Sequence, residues 1–569
     1  MFNAYPHYPS RREIQLPSLW DFAFAETTAE LASPVWEELQ FNDAMAVPGV
    51  FDTAIEAPAR RGVGFYRTRF DARPGATLQL KIGGLGLKGA IFADRKLIGI
   101  DDLPYSGLSY FFTPEGGGVH ELVIAVDNRL DFTPESLFAQ FYDYYGHGGI
   151  YREVTLHELP ENAIDRVRVE TLDETGNVRL TVLFHQPLNG KIEAALAING
   201  SGAAPLSLEV INGKAMLEKH FRLPYWSDET PHLHTLELAT ANDRVVERFG
   251  LRTVRTADGQ ILLNGRPVIL RGYCRHESHP LFGPALPPQQ IREDVALLKQ
   301  LNCNFVRGSH YPQSQLFLDL CDQYGILVWE EGIGWGDRED RLCNRRFNEL
   351  QLAQLAPMVH NSFNHPAVII YGVLNEGDSK LPAGREIYRK LLTELRRLDS
   401  SRLVTFASMF PREDINFDLV DIVSINMYPG WYAADSEQFR PLGEIQARID
   451  ELGSMLKDNP LLRDKPFIIS EIGAGAIYGW RDRFAAHWSE EYQRDYLETV
   501  CEIFRRDHRI AGLALWQFCD GRTYSSSRAL GRPRAFNNKG TFDEYRRPKL
   551  AFDTVRKIFG EMKNSGRLS

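Results

Sequence analysis

VIIYGVLNE (368–376) and PFIISE (466–471) decide the fold: each is an apolar run that stops on a glutamate. Runs this short and this apolar read as strands buried on both faces, the kind found in parallel sheets. Outward from these two, six more runs of the same kind follow one another. The full set is Val268–Cys274, Cys303–Ser309, Ile326–Gly332, Val368–Glu376, Leu403–Ser408, Asp421–Tyr428, Pro466–Gly473 and Ile510–Asp520. The segments between them have helical length. In QQIREDVALLKQLN, Ile291, Val295, Leu298 and Leu301 fall at helical spacing. Eight strand-then-helix units predict a (β/α)8 barrel over 257–569. A doubly wound open sheet is the alternative. It requires a Gly-rich phosphate turn after its first strand, and RGYCRHESHP (271–280) is not one.

The chain before the barrel reads as all-β. TLQLKIGGLGLKGAIFADRKLIGI (77–100) and HELVIAVDN (120–128) alternate apolar and polar residues between turn residues. RVRVET, VRLTVLFH, KIEAALAI, HTLELAT and RVVERFG continue that pattern over 164–256, a size and spacing that suit a small two-sheet sandwich. At 569 residues the chain is too long for one core, and three or four domains are expected.

The bulk numbers exclude several partners. Net charge is −10 with no long basic run, which argues against nucleic acid or an anionic membrane. No apolar stretch reaches the roughly 18 residues of a membrane span. The N-terminal MFNAYPHYPSRREIQLP lacks an apolar core, so no secretory signal is expected. Six Cys without a CxxC pair read as reduced, mostly buried thiols of a cytoplasmic protein.

A (β/α)8 barrel keeps its active site at the C-terminal ends of its strands. Those ends carry Arg275-His276-Glu277, Arg307-Gly308-Ser309-His310-Tyr311, Glu330-Glu331, Asn375-Glu376, Asn426-Met427-Tyr428, Glu471, and Trp516 with Asp520. A glutamate is ordinarily solvated surface, as Glu349 is expected to be within its charged helical run. Glu376 and Glu471 differ, because buried strands 4 and 7 of one barrel deliver them to the same mouth. Two carboxylates of unlike pKa across a pocket suit glycoside cleavage, one attacking the anomeric carbon and the other donating to the leaving oxygen. Asn375 is positioned to bind a sugar 2-OH, and Trp516, Trp480, Trp431 and Tyr428 offer apolar faces to a sugar ring. A divalent metal on His276, Glu277, His279 and His310 with Glu330 or Glu471 is the chemical rival. HESH has neither zincin spacing nor a Cys partner, so no metal and no cofactor are expected, and the histidines read as hydrogen-bond partners of the carboxylates.

FGLRTV (249–254), NGRPVILRGYCRHESHP (264–280), LLKQLNCNFVRGSHYP (297–312), LCDQYGILVWEE (320–331), VLNEG (373–377) and IISEIG (468–473) resemble glycoside hydrolase family 2. The resemblance runs essentially end to end. It implies a jelly-roll-like, sugar-binding β-sandwich over 1–163, an immunoglobulin-like sandwich over 164–256 and the catalytic barrel over 257–569. It also implies acid/base Glu376, nucleophile Glu471, and a homo-oligomer, dimeric or tetrameric. INMYPGWY (425–432) resembles the segment of the β-glucuronide-cleaving members, bringing Asn426, Tyr428 and Tyr432 to the pocket. FYDYYGHGGIYREV (141–154) resembles the segment that lends the pocket an Asp, here Asp143. GRPRAFNNKG (531–540) carries the Asn-x-Lys of those members, so Asn537 and Lys539 are implied to hold the sugar carboxylate, with Asn538 pointing away and Arg532 and Arg534 flanking an expected Arg contact. Ala474 stands where galactosidases of the family carry a sugar-reading His. The short GIGWGDREDRLCN (332–344) implies an open mouth that admits large aglycones or oligosaccharide ends. The implied activity is a retaining, exo-acting β-glucuronidase on a small-molecule or oligosaccharide β-glucuronide, with His276, His310, Asn375 and Trp516 among its substrate-binding residues. A β-galacturonidase or mixed uronidase is the alternative, followed by a β-galactosidase or an inactive carbohydrate-binding protein.

Overall fold

The computed structural model describes residues 5–26, 30–53, 58–130, 133–138, 144–432, 442–524 and 532–565. Asp143 falls outside them.

Up to residue 158 the described chain is antiparallel sheet. One sheet includes Leu19–Ala25, Val63–Ala72, Gly118–Asp127 and Lys88–Ala93, and a second includes Val154–Glu158, Leu78–Ile82 and Leu108–Phe112. Their facing side chains bury Trp20, Phe22, Tyr66, Leu80, Ile91, Leu122, Ile124 and Leu156 in one core. Ile164–Thr171, Asn177–Phe184 and Lys214–His220 form a further sheet. It packs on one built from Ala204–Val210, Gly190–Ile198, His234–Thr240 and Arg244–Phe249. Strict alternation in Asn177–Phe184 buries Val178, Leu180, Val182 and Phe184 while the residues between them face outward.

The remaining chain is a closed parallel barrel. Strands 1 to 4 are Leu270–Arg275, Phe305–Gly308, Leu327–Glu331 and Val368–Gly372; strands 6 to 8 are Val423–Asn426, Phe467–Ile472 and Ile510–Leu515. Strand 5, expected as one run over 403–408, is two pieces. Leu403–Thr405 pairs with strand 4 and Ala407–Ser408 with strand 6, so the break at Phe406 is where the ring closes. Phe406 turns its ring outward onto Tyr388 and Phe417. Closure rules out the open doubly wound sheet. Strand 4 also stops short of its expected end, because Leu374 (φ +44°) and Glu376 (φ +51°) leave extended geometry. The helix Pro288–Gln300 buries Ile291, Val295 and Leu298 against the barrel, as its periodicity predicts.

Two contacts seat the N-terminal sheets on the C-terminal rim. Arg152 donates to Glu277 Oε2 at 2.9 Å and to the Pro312 carbonyl at 2.7 Å, and Tyr105 stacks on Tyr311 with ring centroids 3.8 Å apart. Glu277 is thereby engaged as a domain tie. The middle sheets grip the barrel flank through Trp226 Nε1, which donates to the Asp322 carbonyl, and Arg166, which joins Glu247 to the Asn361 carbonyl.

Strands 1 and 2 approach so closely at Gly272 that a Cβ there would lie 1.7 Å from the Phe305 carbonyl oxygen. Gly272→Ala is expected to cost about 3 kcal/mol or more by forcing the strands apart. Gly443→Ala, where a Cβ meets nothing within 4 Å, should stay within about 0.5 kcal/mol of wild type. Denaturant unfolding of both variants measures the contrast.

Candidate active site

Arg307, delivered by strand 2, is fully buried in the barrel mouth and sits at the centre of the rim side chains. Its Nε lies 3.0 Å from Glu331 Oε1, one terminal nitrogen 2.8 Å from Glu471 Oε1, and the other donates to Asn375 Oδ1 at 2.8 Å. Its guanidinium lies over the Trp329 ring at 4.6 Å. Burial alone disfavours the cation, but Glu331 and Glu471 outweigh it and hold the pKa above the ordinary guanidinium range. Burial in turn raises the Glu331 carboxyl, with Arg307 offsetting part of that rise.

Glu471 ends strand 7 almost fully buried, and Tyr428 donates its hydroxyl to Glu471 Oε2 at 2.7 Å. Burial, then the neighbouring Glu471 carboxylate, lifts the Tyr428 phenol well above its usual range, so it stays a donor. Glu376 is half-buried, and its Oε1 accepts from Asn426 Nδ2 at 2.9 Å. Asn426 Oδ1 accepts from Ser470 Oγ at 2.7 Å, which sets its amide so that Nδ2 faces Asn375 and Glu376. Asn375 Oδ1 accepts from both Arg307 and Asn426. Its buried Nδ2 is left without a hydrogen-bond partner among the described residues.

One wall is aromatic. Trp516 stacks on His310 at 5.3 Å and meets His276 edge-on at 5.4 Å, and its buried Nε1 has no hydrogen-bond partner among the described residues. His310 Nδ1 faces Glu331 Oε1 at 3.2 Å, and His276 Nδ1 lies 3.3 Å from the Tyr311 hydroxyl. The His310 contact is of the expected kind, to a carboxylate, whereas the contact of His276 is to a phenol. Tyr144, which follows Asp143 in the chain, packs its ring on His276 at 4.8 Å.

The Asn-x-Lys loop lies beyond strand 8. Phe536–Asn537 pairs antiparallel with Gly521–Arg522. The Lys539 ammonium donates to the Tyr432 hydroxyl at 2.7 Å and sits 4.8, 5.4 and 5.6 Å from the Tyr432, Tyr428 and Trp431 ring centroids. Trp431 is buried and stacks on His487 at 4.0 Å, so it backs the lysine instead of lining an open surface. Trp480 is 41% exposed on the loop after strand 7. Asn537 is buried, and Asn538 turns to Asp520, its Nδ2 donating to Oδ2 at 3.1 Å. Arg534 pairs with Glu544 at 2.8 Å, so its guanidinium is committed to that carboxylate.

Arg307 and Glu331 appear in the rim inventory, but their pairing has no signal in sequence. The same holds for Lys549. Fully buried, it donates to Asp520 Oδ1 at 2.8 Å, the Asn538 carbonyl at 3.1 Å and the Ala476 carbonyl at 2.7 Å. Asp520 Oδ1 also accepts from Gly540 N at 2.9 Å, so the pair fastens the loop on both sides of Lys539. Burial pushes the Asp520 carboxyl up to about 6, with Lys549 offsetting part of the rise. Among the described residues the cluster with metal-ligand spacing is Asp319, Asp322 and His365, on the flank that Arg248 already neutralises at 2.5 and 3.4 Å.

Lys549→Met leaves the buried Asp520 carboxyl without its counter-charge, and a loss of about 3–5 kcal/mol is expected at neutral pH. Adding Asp520→Asn should recover most of it. The raised Asp520 pKa means the folded state holds its proton more tightly than the unfolded chain, so this carboxyl favours folding progressively as pH falls through about 6. The deficit of Lys549→Met is therefore expected to shrink between pH 7 and pH 5 in unfolding titrations.

The family model for the TIM barrel domain of glycosyl hydrolases family 2 matches residues 254–564. The β-glucuronidase of Felis catus is 29% identical over 621 aligned residues, covering 98% of this chain and 92% of that protein. A solved GH2 β-galacturonidase from Eisenbergiella tayi, bound to galacturonate, is 31% identical with a TM-score of 0.87 over 99% of both chains. The β-glucuronidase of Faecalibacterium prausnitzii, 24% identical, shares the fold at a TM-score of 0.85. A family match across more than half of the chain, lying on a closed barrel with two glutamates at its mouth, makes this protein a glycoside hydrolase and a member of glycosyl hydrolase family 2.

Proposed function

We propose that the protein is a retaining, exo-acting β-glucuronidase. The seat of Lys539 carries the reading. An almost fully buried ammonium sits among three aromatic rings and donates to the Tyr432 phenol oxygen, and a cation in such a pocket suits an acidic sugar better than a neutral one. Asn537 shares the clamp, and the pocket role that the family resemblance implies for Asp143 is kept in this reading.

Glu471 is the nucleophile. Arg307 and Tyr428 donate to its two oxygens and aim it at the anomeric carbon. The bond from C1 to a Glu471 oxygen forms as the C1–oxygen bond to the leaving group breaks, and Glu376 gives its proton to that oxygen. Water then attacks C1, Glu376 takes the water proton, and Glu471 departs with the anomeric configuration retained. The two carboxyl groups are expected about 5–5.5 Å apart in this mechanism. The free Nδ2 of Asn375 donates to the sugar 2-OH, a contact that strengthens toward the transition state. Trp516, His276 and His310 shape the wall against the sugar ring. In this reading 1–163 and 164–256 are sandwich domains that brace the barrel of 257–569, and the enzyme is a cytoplasmic homo-oligomer.

A second reading, a β-galacturonidase, is favoured by the 31% identity to the galacturonate-bound enzyme. The two uronic acids differ at the 4-OH, which a carboxylate clamp does not read. Parallel assays of nitrophenyl β-glucuronide and β-galacturonide decide between them.

Lys539→Ala is expected to lower kcat/KM on the uronide about tenfold to a hundredfold. Hydrolysis of the matching neutral β-glucoside should not fall. Equal losses on both substrates would remove the anion-reading role. Glu471→Ala should abolish turnover and, with azide, yield a glycosyl azide of inverted configuration. Failure to recover that adduct counts against Glu471 as nucleophile.

A further inference from the structure

Beyond Glu376 the rim continues as Gly377-Asp378-Ser379-Lys380. This segment is tied to the end of strand 5. Glu376 N donates to the Ala407 carbonyl at 2.9 Å, Ser379 Oγ lies 3.3 Å from Ser408 Oγ, and Ile415 N reaches the Ser379 carbonyl at 3.4 Å. The tie sets Lys380 over Phe410, its Nζ 4.1 Å from the ring centroid, with both side chains half-buried. The acids nearby are committed elsewhere. Asp378 pairs with Arg338 at 2.7 Å, and Asp414 is turned to Ser379. Among the described residues Lys380 has no carboxylate partner. On the strand 3 side of Glu376, half-buried Trp335 is bridged to Asn375.

An ammonium on an aromatic face thus occurs twice around the mouth, at Lys539 beside strands 6 and 8 and at Lys380 beside strands 4 and 5. At Lys380 the ring quadrupole attracts the ammonium but leaves its donors open to an anion. In a chain of net charge −10, a rim cation of this kind selects for negative ligands locally.

We propose that Lys380, Phe410 and Trp335 form the leaving-group subsite, and that Lys380 reads a carboxylate carried by the leaving group. The preferred substrate class is then an acidic saccharide or glycoside charged on both sides of the scissile bond. This rests on the reading of Glu376 as the proton donor to the leaving oxygen.

The test uses two aryl β-uronides that differ only in a ring carboxylate and its methyl ester. Wild type is expected to prefer the acid. Lys380→Met should lower the acid-over-ester ratio of kcat/KM about fivefold, and Lys380→Arg should keep it. A wild-type ratio at or below one, or a Lys380→Met ratio within about twofold of wild type, overturns the proposal. The ratio compares leaving groups on one glycone, so it can be read on any glycone the enzyme turns over. Lack of turnover on uronides alone counts against the uronidase reading and not against this subsite.

Discussion

A guanidinium with no access to water must be surrounded by its own counter-charges, and much of the catalytic mouth follows from that requirement at Arg307. Its three nitrogens take Glu331, Glu471 and Asn375 from strands 3, 7 and 4. The desolvation cost of one buried cation thereby fixes the relative positions of side chains that lie far apart in sequence. The consequence passes outward, because Asn375 can accept from Arg307 only with its amide turned one way. That turn leaves the buried Nδ2 without a hydrogen-bond partner among the described residues, and Asn426 carries the same order on to Glu376. A carboxylate placed by this network has little freedom to drift, which is what attack at a single carbon demands.

The side proposed to recognise the sugar is built on a different principle. Lys539 leans on aromatic faces, which hold a cation without neutralising it. The buried Lys549–Asp520 pair does the opposite, cancelling its own charge to pin backbone. One lysine sits among aromatic rings and the other gives its donors to a carboxylate and two carbonyls, and the two lie ten residues apart in one loop system. The N-terminal sheets complete the mouth by resting Tyr144 against His276, so the barrel is not the sole source of the wall.

The barrel and its two glutamates were legible because buried parallel strands have a strong signature: Val368–Gly372 and Phe467–Ile472 contain almost nothing but apolar residues, and the first polar residues after such runs must lie at a rim. The break in strand 5 was not legible, since Leu403 to Ser408 is equally apolar on both sides of Phe406 and the break answers to ring closure. Arg307 sits in the quoted motif, yet sequence does not say which way a strand residue points inside a barrel. Lys549 lies in RRPK and reads as solvated surface, while its partner is 29 positions away. The proposed clamp of Asn537 and Lys539 rests on family resemblance. A polar Asn-Asn-Lys-Gly turn has no pattern that separates it from an ordinary loop.

The fastening of the Asn-x-Lys loop has a consequence for how the protein is made. Both glutamates are already in the chain by residue 471, but Lys549 is synthesised 78 residues later, at the entrance to the helix Ala551–Ser565. A chain growing from its N-terminus therefore possesses the two glutamates proposed for bond breaking well before the lysine that anchors the Asn-x-Lys loop. The Asn-x-Lys loop gains its buried anchor only when the segment leading into that closing helix is in place.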